Sequence, residues 1–109
     1  MRIQRVASVI RLRPDKEDEY RALHKEVWPA VLSTLRRVGV TNYTIFLRDG
    51  FLFSYLEYVG DDYEKALTEI AADPSTQEWW TYTDPCQQPI DYARTGEWWA
   101  EAEEIFHLD

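Results

Sequence analysis

The stretch TNYTIFLRDGFLFSYLEYV, residues 41–59, constrains the fold more than any other part of the chain. Its two arms are rich in β-branched and aromatic residues, and Asp49-Gly50 stands between them. An Asp-Gly pair suits the left-handed backbone of a tight hairpin turn, so the stretch reads as two antiparallel strands. A hairpin needs further strands or a helix layer to be stable, and the flanking sequence supplies both.

Before the hairpin, IQRVASVIRLR at 3–13 reads as a strand with Val6, Ser8, Ile10 and Leu12 on one side. Pro14 ends it, and Asp15 is placed to cap a helix whose first turn holds Glu17, Asp18 and Glu19 against the positive end of the dipole. Leu23, Val27, Val31, Leu35 and Val38 recur at helical spacing, Arg36 and Arg37 favour the negative end, and Gly39 supplies a left-handed stop. After the hairpin, DDYEKALTEIAA at 61–72 predicts a short helix with Leu67, Ile70 and Ala71 inward. Asp73-Pro74 breaks it, and Ser75 with Glu78 forms a capping box for another short helix. Residues 84–100 read as a loop containing Pro85, Pro89 and Gly96, and the final EIFHLD reads as a last strand.

The order is β-α-β-β-α-(short α)-β. It predicts an α+β domain of the ferredoxin-like βαββαβ type over residues 1–109, an antiparallel sheet with helices on one face. The other sheet face needs cover in so small a domain, and pairing two sheets in a homodimer, a dimeric α/β barrel, supplies it.

Charge narrows the partners. Twenty acids against twelve bases leave a net charge of −8, and the basic residues are scattered. Nucleic acid and an anionic membrane surface are disfavoured, whereas a neutral small molecule is accommodated. The single Cys86 excludes an internal disulfide and a multi-cysteine zinc site. No apolar run approaches the roughly 20 residues that span a bilayer. The N-terminus MRIQRVASVIRLRP makes a poor signal peptide, so a cytoplasmic protein is expected.

Conventional catalytic motifs are absent: there is no glycine-rich phosphate loop, no Gly-x-Ser-x-Gly and no His-Glu-x-x-His. Two isolated histidines, His24 and His107, argue against a metal site, and nothing marks Cys86 as an activated thiolate. His24 is the residue that stands out. Tyr20, His24 and Trp28 follow at four-residue steps and Pro29 comes next. On a helical wheel both rings lie within about 40° of His24, which borders the apolar face. A half-buried histidine satisfied by one hydrogen bond is the plainer account, and a functional imidazole is the alternative. Pro29 either bends the helix, opening a pocket beside His24, or separates two shorter helices.

Five Trp and seven Tyr are many for a chain of this size. Trp79 and Trp80, about 100° apart on a helix, can divide between core and cavity. Packing of both is an equal alternative. Trp98-Trp99 lies in the loop read at 84–100, where exposed rings suit a partner or a pocket lid. Tyr43 is placed to face the helix layer.

Taken together, RPDKEDEYRALHKEVWP, GVTNYTIFL, QEWWTYTD and EEIFHL resemble the L-rhamnose mutarotase family over nearly the whole chain. The resemblance implies interconversion of the α and β anomers of a deoxy-hexose by a homodimer with a ferredoxin-like fold and no cofactor. It implies His24 as proton donor and Tyr20, Tyr43, Trp79 and Trp80 as sugar-binding residues. The family's Trp-Pro is commonly followed by glutamate, where Ala30 stands here, and segment 85–100 is richer in aromatics, with Tyr92, Trp98 and Trp99. Both departures bear on the sugar, L-rhamnose being the first choice and L-fucose or another 6-deoxy sugar the alternative.

The chemistry agrees with the residues. Ring opening needs a proton given to the ring oxygen and another taken from the anomeric hydroxyl. An imidazole does both near pH 7. A water, Tyr20 or a carboxylate remains open as the base. Two rival readings are a cofactor-independent monooxygenase-like enzyme of the dimeric α+β barrel type and a non-catalytic sugar-binding dimer.

Overall fold

The computed structural model describes residues 2–109. The elements are β1 (Ile3–Leu12), α1 (Glu17–Lys25), α2 (Pro29–Val38), β2 (Val40–Arg48), β3 (Phe51–Val59), α3 (Tyr63–Ala72), α4 (Pro74–Thr83), β4 (Gln87–Gln88) and β5 (Ala100–Ala102). Short 3-10 turns at 14–16 and 84–86 precede α1 and β4. The sheet is antiparallel in the order β2-β3-β1-β4, with β5 also on β1. This is the ferredoxin-like α+β arrangement read from the sequence.

The hairpin forms as its turn chemistry requires. Asp49 and Gly50 have φ of 51° and 78°, the left-handed pair of a type I′ turn. β1 then lies against β3 in unbroken register from Ile3↔Val59 to Arg11↔Phe51. Because the strand period is two, one register sorts two faces. Val6, Ile10 and Leu12 of β1 and Leu52, Ser54 and Tyr58 of β3 are buried beneath the helices. The opposite face leaves Ile3, Phe46 and Phe53 exposed.

Gly39 ends α2 at φ 105°, and its N–H returns to the Arg36 carbonyl at 3.1 Å. A Cβ at this position would stand 2.5 Å from the Val59 carbonyl oxygen. Both the turn and the approach of the β3 end therefore require glycine.

Pro29 separates two helices. Lacking an N–H, it cannot bond the Lys25 carbonyl. The chain leaves α1 at Glu26 (φ −138°, ψ 71°) and restarts with Pro29 in the first turn of α2. Val31 and Leu32 N–H then bond the Trp28 carbonyl at 3.0 and 3.1 Å. Trp28 thus leaves the wheel that Tyr20 and His24 share.

Several local expectations are corrected. Asp15 lies inside the 3-10 turn and caps nothing, for neither that turn nor α1 has a side-chain cap. Asp73 caps α4 in place of Ser75 and Glu78. With Pro74 in the first turn, its carboxylate accepts Thr76 N–H at 2.9 Å and Thr76 Oγ1–H at 2.8 Å. On α3 the inward residues are Ala66 and Ile70, whereas Leu67 and Ala71 are exposed.

The last strand comes earlier than the apolar pattern of EIFHLD suggests. β4 and β5 share the outer edge of β1: Arg11–Leu12 face Gln87–Gln88, and Ala7–Val9 face Ala100–Ala102. The loop 89–99 is an excursion between two halves of one edge. Past β5, Glu104 still meets Arg5 at 2.6 Å, but the ladder with β1 does not continue among the described residues. Residues 103–109 run on outside the sheet with Ile105, Phe106 and Leu108 exposed.

Candidate active site

α1 sets Tyr20 and His24 one above the other, because residues four apart share a helix face. Tyr20 is buried in the core with Ile10, Leu12, Leu52 and Cys86. The half-buried imidazole stacks on it with ring centroids 4.2 Å apart and planes at 28°. His24 Nδ1 lies 2.9 Å from the Tyr20 carbonyl oxygen. A carbonyl only accepts, so Nδ1 carries the hydrogen and Nε2 is the nitrogen left for chemistry. Burial lowers the imidazole below its ordinary value, partly opposed by that backbone bond. The neutral form, with a lone pair on Nε2, therefore prevails at pH 7.

α4 brings the third ring. Trp79 is buried and meets His24 edge-on, with centroids 5.5 Å apart at 67°. Trp28, redirected by the break before Pro29, packs on Trp79 at 5.2 Å and on Tyr82 at 5.7 Å. Trp80, one position on, is 37% exposed and makes no such contact among the described residues. The two tryptophans are thus divided between interior and surface.

Tyr43 lies where β2 and β3 lose register, between Thr41 and Thr44, after Asn42 at φ 50°. Such a bulge re-aims a side chain. The residue is 44% exposed, yet burial pushes its hydroxyl up to about 12, with Tyr63 as a second cause. It is also a charge neighbour of the Tyr20 hydroxyl.

Between α1 and the sheet is an open cleft of about 630 Å³, within the range of small-ligand sites. Tyr20 and His24 line it, with Ile45, Leu47 and Leu52 as apolar wall and Asp18, Arg21 and Lys25 at the rim. No group of three or more candidate metal ligands occurs among the described residues. Cys86 is fully buried, and desolvation pushes its thiol up to about 11, so it is a packing residue rather than a nucleophile.

Sequence reasoning missed one residue here. Gln87 is 4% exposed and its Nε2 donates to the Tyr20 hydroxyl at 3.1 Å. No motif marks it, since only the pairing of β4 with β1 carries it to α1. Trp28 and Tyr82 form a second layer around Trp79, which the aromatic spacing only partly signalled.

The chain is similar to known proteins along nearly its whole length. The L-rhamnose mutarotase family model matches residues 5–108. An L-rhamnose mutarotase of Lactiplantibacillus plantarum is 36% identical over 107 residues, covering 96% of this chain and 98% of that one. A crystal structure of an L-rhamnose mutarotase from Formosa agariphila superposes with a TM-score of 0.75 at 21% identity, over 97% and 99% of the two chains. A tetracenomycin F2 cyclase from Streptomyces glaucescens superposes with a TM-score of 0.71 at 19% identity, over 97% of each chain. At such identities the superpositions show the shared fold alone. No helix among the described residues is long and apolar enough to cross a membrane.

Proposed function

The chain belongs to the L-rhamnose mutarotase family, an isomerase family that interconverts the α and β anomers of L-rhamnose, and on that premise we propose that His24 carries the proton transfers of this reaction. The observation that supports it most is the tautomer. With Nδ1–H held by the Tyr20 carbonyl, Nε2 is a neutral base beside an open cleft.

The steps balance on that nitrogen. Nε2 takes the proton of the anomeric hydroxyl as the C1–O1 bond becomes a carbonyl and the ring C1–O5 bond breaks. The released electron pair stays on O5, which takes the proton back from the imidazolium. The C1–C2 bond turns in the open aldehyde, O5 re-adds to the other carbonyl face, and the transfers run in reverse. O1 and O5 both attach to C1, so one imidazole reaches both. This removes the need for a separate base, and Tyr20 is unsuited to that role, because burial raises its hydroxyl well above the ordinary tyrosine range. The transient imidazolium is favoured by the stacked Tyr20 ring and by the carbonyl on Nδ1. One such group supplies roughly 10²–10⁴-fold, and mutarotation already proceeds in water.

In this reading Tyr20, which lines the cleft, supplies a hydroxyl to the sugar, Trp79 backs His24 from outside the cleft lining, and Tyr43 and the part-exposed Trp80, also outside that lining, are the further sugar contacts. L-Rhamnose is the substrate proposed in preference to L-fucose or another 6-deoxy sugar. Two chains pair through the outer sheet face, where Ile3, Phe46 and Phe53 would otherwise stay in water. The enzyme works in the cytoplasm.

The test is saturation transfer by NMR between the two anomers of L-rhamnose, with and without protein, repeated with L-fucose. Faster exchange of rhamnose, and slower or no gain for fucose, is expected. Exchange of rhamnose at the rate of buffer alone would overturn the reading.

A further inference from the structure

Gln87 touches two residues that belong to separate parts of the fold. Its Nε2 donates to the Tyr20 hydroxyl at 3.1 Å, and its Oε1 accepts the indole N–H of Trp98 at 2.8 Å. Amide oxygen and nitrogen exchange places readily, and a tyrosine hydroxyl can donate or accept. An indole nitrogen only donates. Trp98 therefore compels the amide oxygen to face it, which turns the NH₂ toward Tyr20. The Tyr20 oxygen must accept, and its own hydrogen is left to point elsewhere. No acceptor for it occurs among the hydrogen bonds of the described residues, and Tyr20 lines the cleft.

We propose that Gln87, locked by Trp98, is a positioning residue that makes the Tyr20 hydroxyl a hydrogen-bond donor toward the sugar. The inference rests on the mutarotase reading and deepens it: the site selects sugars that present an accepting oxygen over Tyr20. Its second effect runs through the ring. Tyr20 stacks on His24 and its carbonyl holds His24 Nδ1, so the amide that anchors the phenol also sets the imidazole.

The lock is built, not incidental. Gln87 is 4% exposed in β4, and its pairing with Leu12 fixes its backbone. Trp98 is carried on the loop 89–99, which is braced by Ala93 N–H to the Ile90 carbonyl at 3.1 Å and by Arg94 N–H to Glu97 Oε1 at 2.7 Å. The neighbouring Trp99 packs against the core. This assigns work to the aromatic segment that departs from the family pattern. Burial keeps the Tyr20 hydroxyl protonated, consistent with a constant donor.

Gln87→Glu tests the polarity at nearly constant shape. An ionised carboxylate still accepts from Trp98, but its second oxygen also accepts and so takes the Tyr20 hydrogen away from the sugar. Protonated, it donates as the amide does. The ratio of variant to parent kcat/KM should fall as pH rises and the introduced carboxyl ionises, reaching a loss of roughly 10- to 100-fold. A ratio that is flat with pH in a folded variant overturns the proposal. Trp98→Phe, at a residue 40% exposed, keeps the ring and removes only the N–H, so it remains informative where the buried carboxylate prevents folding. It frees the amide to turn over and should raise KM more than it lowers kcat. Parental constants in that folded variant overturn the lock.

Binding of mono-deoxy rhamnose analogues separates this inference from the reading beneath it. The parent should bind one analogue distinctly more weakly than rhamnose, and Trp98→Phe should lose that preference. The same pattern in a parent that does not accelerate anomer exchange upholds the positioning role and overturns the mutarotase reading alone. Uniform affinity of the parent for all analogues overturns the positioning role.

Discussion

His24 and Trp79 meet edge to face, 5.5 Å between ring centroids, although one lies on α1 and the other on α4. The contact fixes one side of an imidazole that Tyr20 covers on the other, so His24 has little rotational freedom left. A general base is effective when held in place beforehand, which connects this packing directly to turnover.

The tryptophan pair should therefore separate on mutation. Trp79→Ala removes a buried ring shared by His24 and Trp28 and should cost about 3–5 kcal/mol of stability, with turnover falling alongside. Trp80→Ala, at a partly exposed ring, should cost less than about 1 kcal/mol of stability while weakening rhamnose binding by about 1–3 kcal/mol. Thermal melts beside KM measurements read both. Equal stability losses would contradict the division between interior and surface.

His24→Ala should lower anomer exchange by roughly 10²–10⁴-fold while rhamnose still binds, because a proton transfer needed in the transition state governs turnover more than affinity. His24→Gln should not restore the rate, since an amide bonds but does not titrate. A folded His24→Ala protein exchanging anomers at the parental rate would remove His24 from the mechanism.

Activity should persist to lower pH than an ordinary histidine allows. Burial lowers His24, and the reactive form is neutral, so kcat/KM is full above the folded value and falls as pH drops through it. The midpoint of the acid limb should lie below about 6.5. The same shift acts on stability. Below about pH 6.5 the unfolded chain binds the proton first, so His24 makes the fold less stable as pH falls toward its folded value. A pH–rate profile with its acid midpoint at or above the free-histidine value would refute the neutral-base form.

In solution the chain should be a dimer at micromolar concentration. Phe53→Glu places a charge in the middle of the exposed sheet face and should yield a monomer with its secondary structure intact. Light scattering with circular dichroism checks it. A dimer unaffected by that charge would place the contact on another surface.

The parts of the fold visible in the chain are those decided by neighbours in sequence. Asp49-Gly50, the stop at Gly39 and the strand at β1 rest on local backbone preference, and each appears where expected. Errors arose where two local signals competed. Asp73 and Ser75 both offered an oxygen to the start of α4, and Pro74 gave the position to Asp73. On α3 the interior position went to Ala66 and the larger Leu67 stayed exposed, against the apolar signal of the chain. EIFHLD carries a strand pattern, yet among the described residues it forms no ladder with Ile3–Arg5, the part of β1 that the β5 register leaves to it.

The site divides along the same line. Tyr20 and His24 are four residues apart, so a helix alone puts them together, and the chain by itself determines that pair. Their neighbours are a different matter. Trp79 reaches His24 only because α4 packs beside the break at Pro29, and Gln87 reaches Tyr20 only because β4 pairs with the end of β1. The direction of the Tyr20 hydroxyl depends further on Trp98, a donor-only group on a distant loop. Helix periodicity is a property of adjacent residues and can be read from them. Hydrogen-bond polarity between residues far apart is set by which partners the folded chain leaves within reach, and that was decided only in three dimensions.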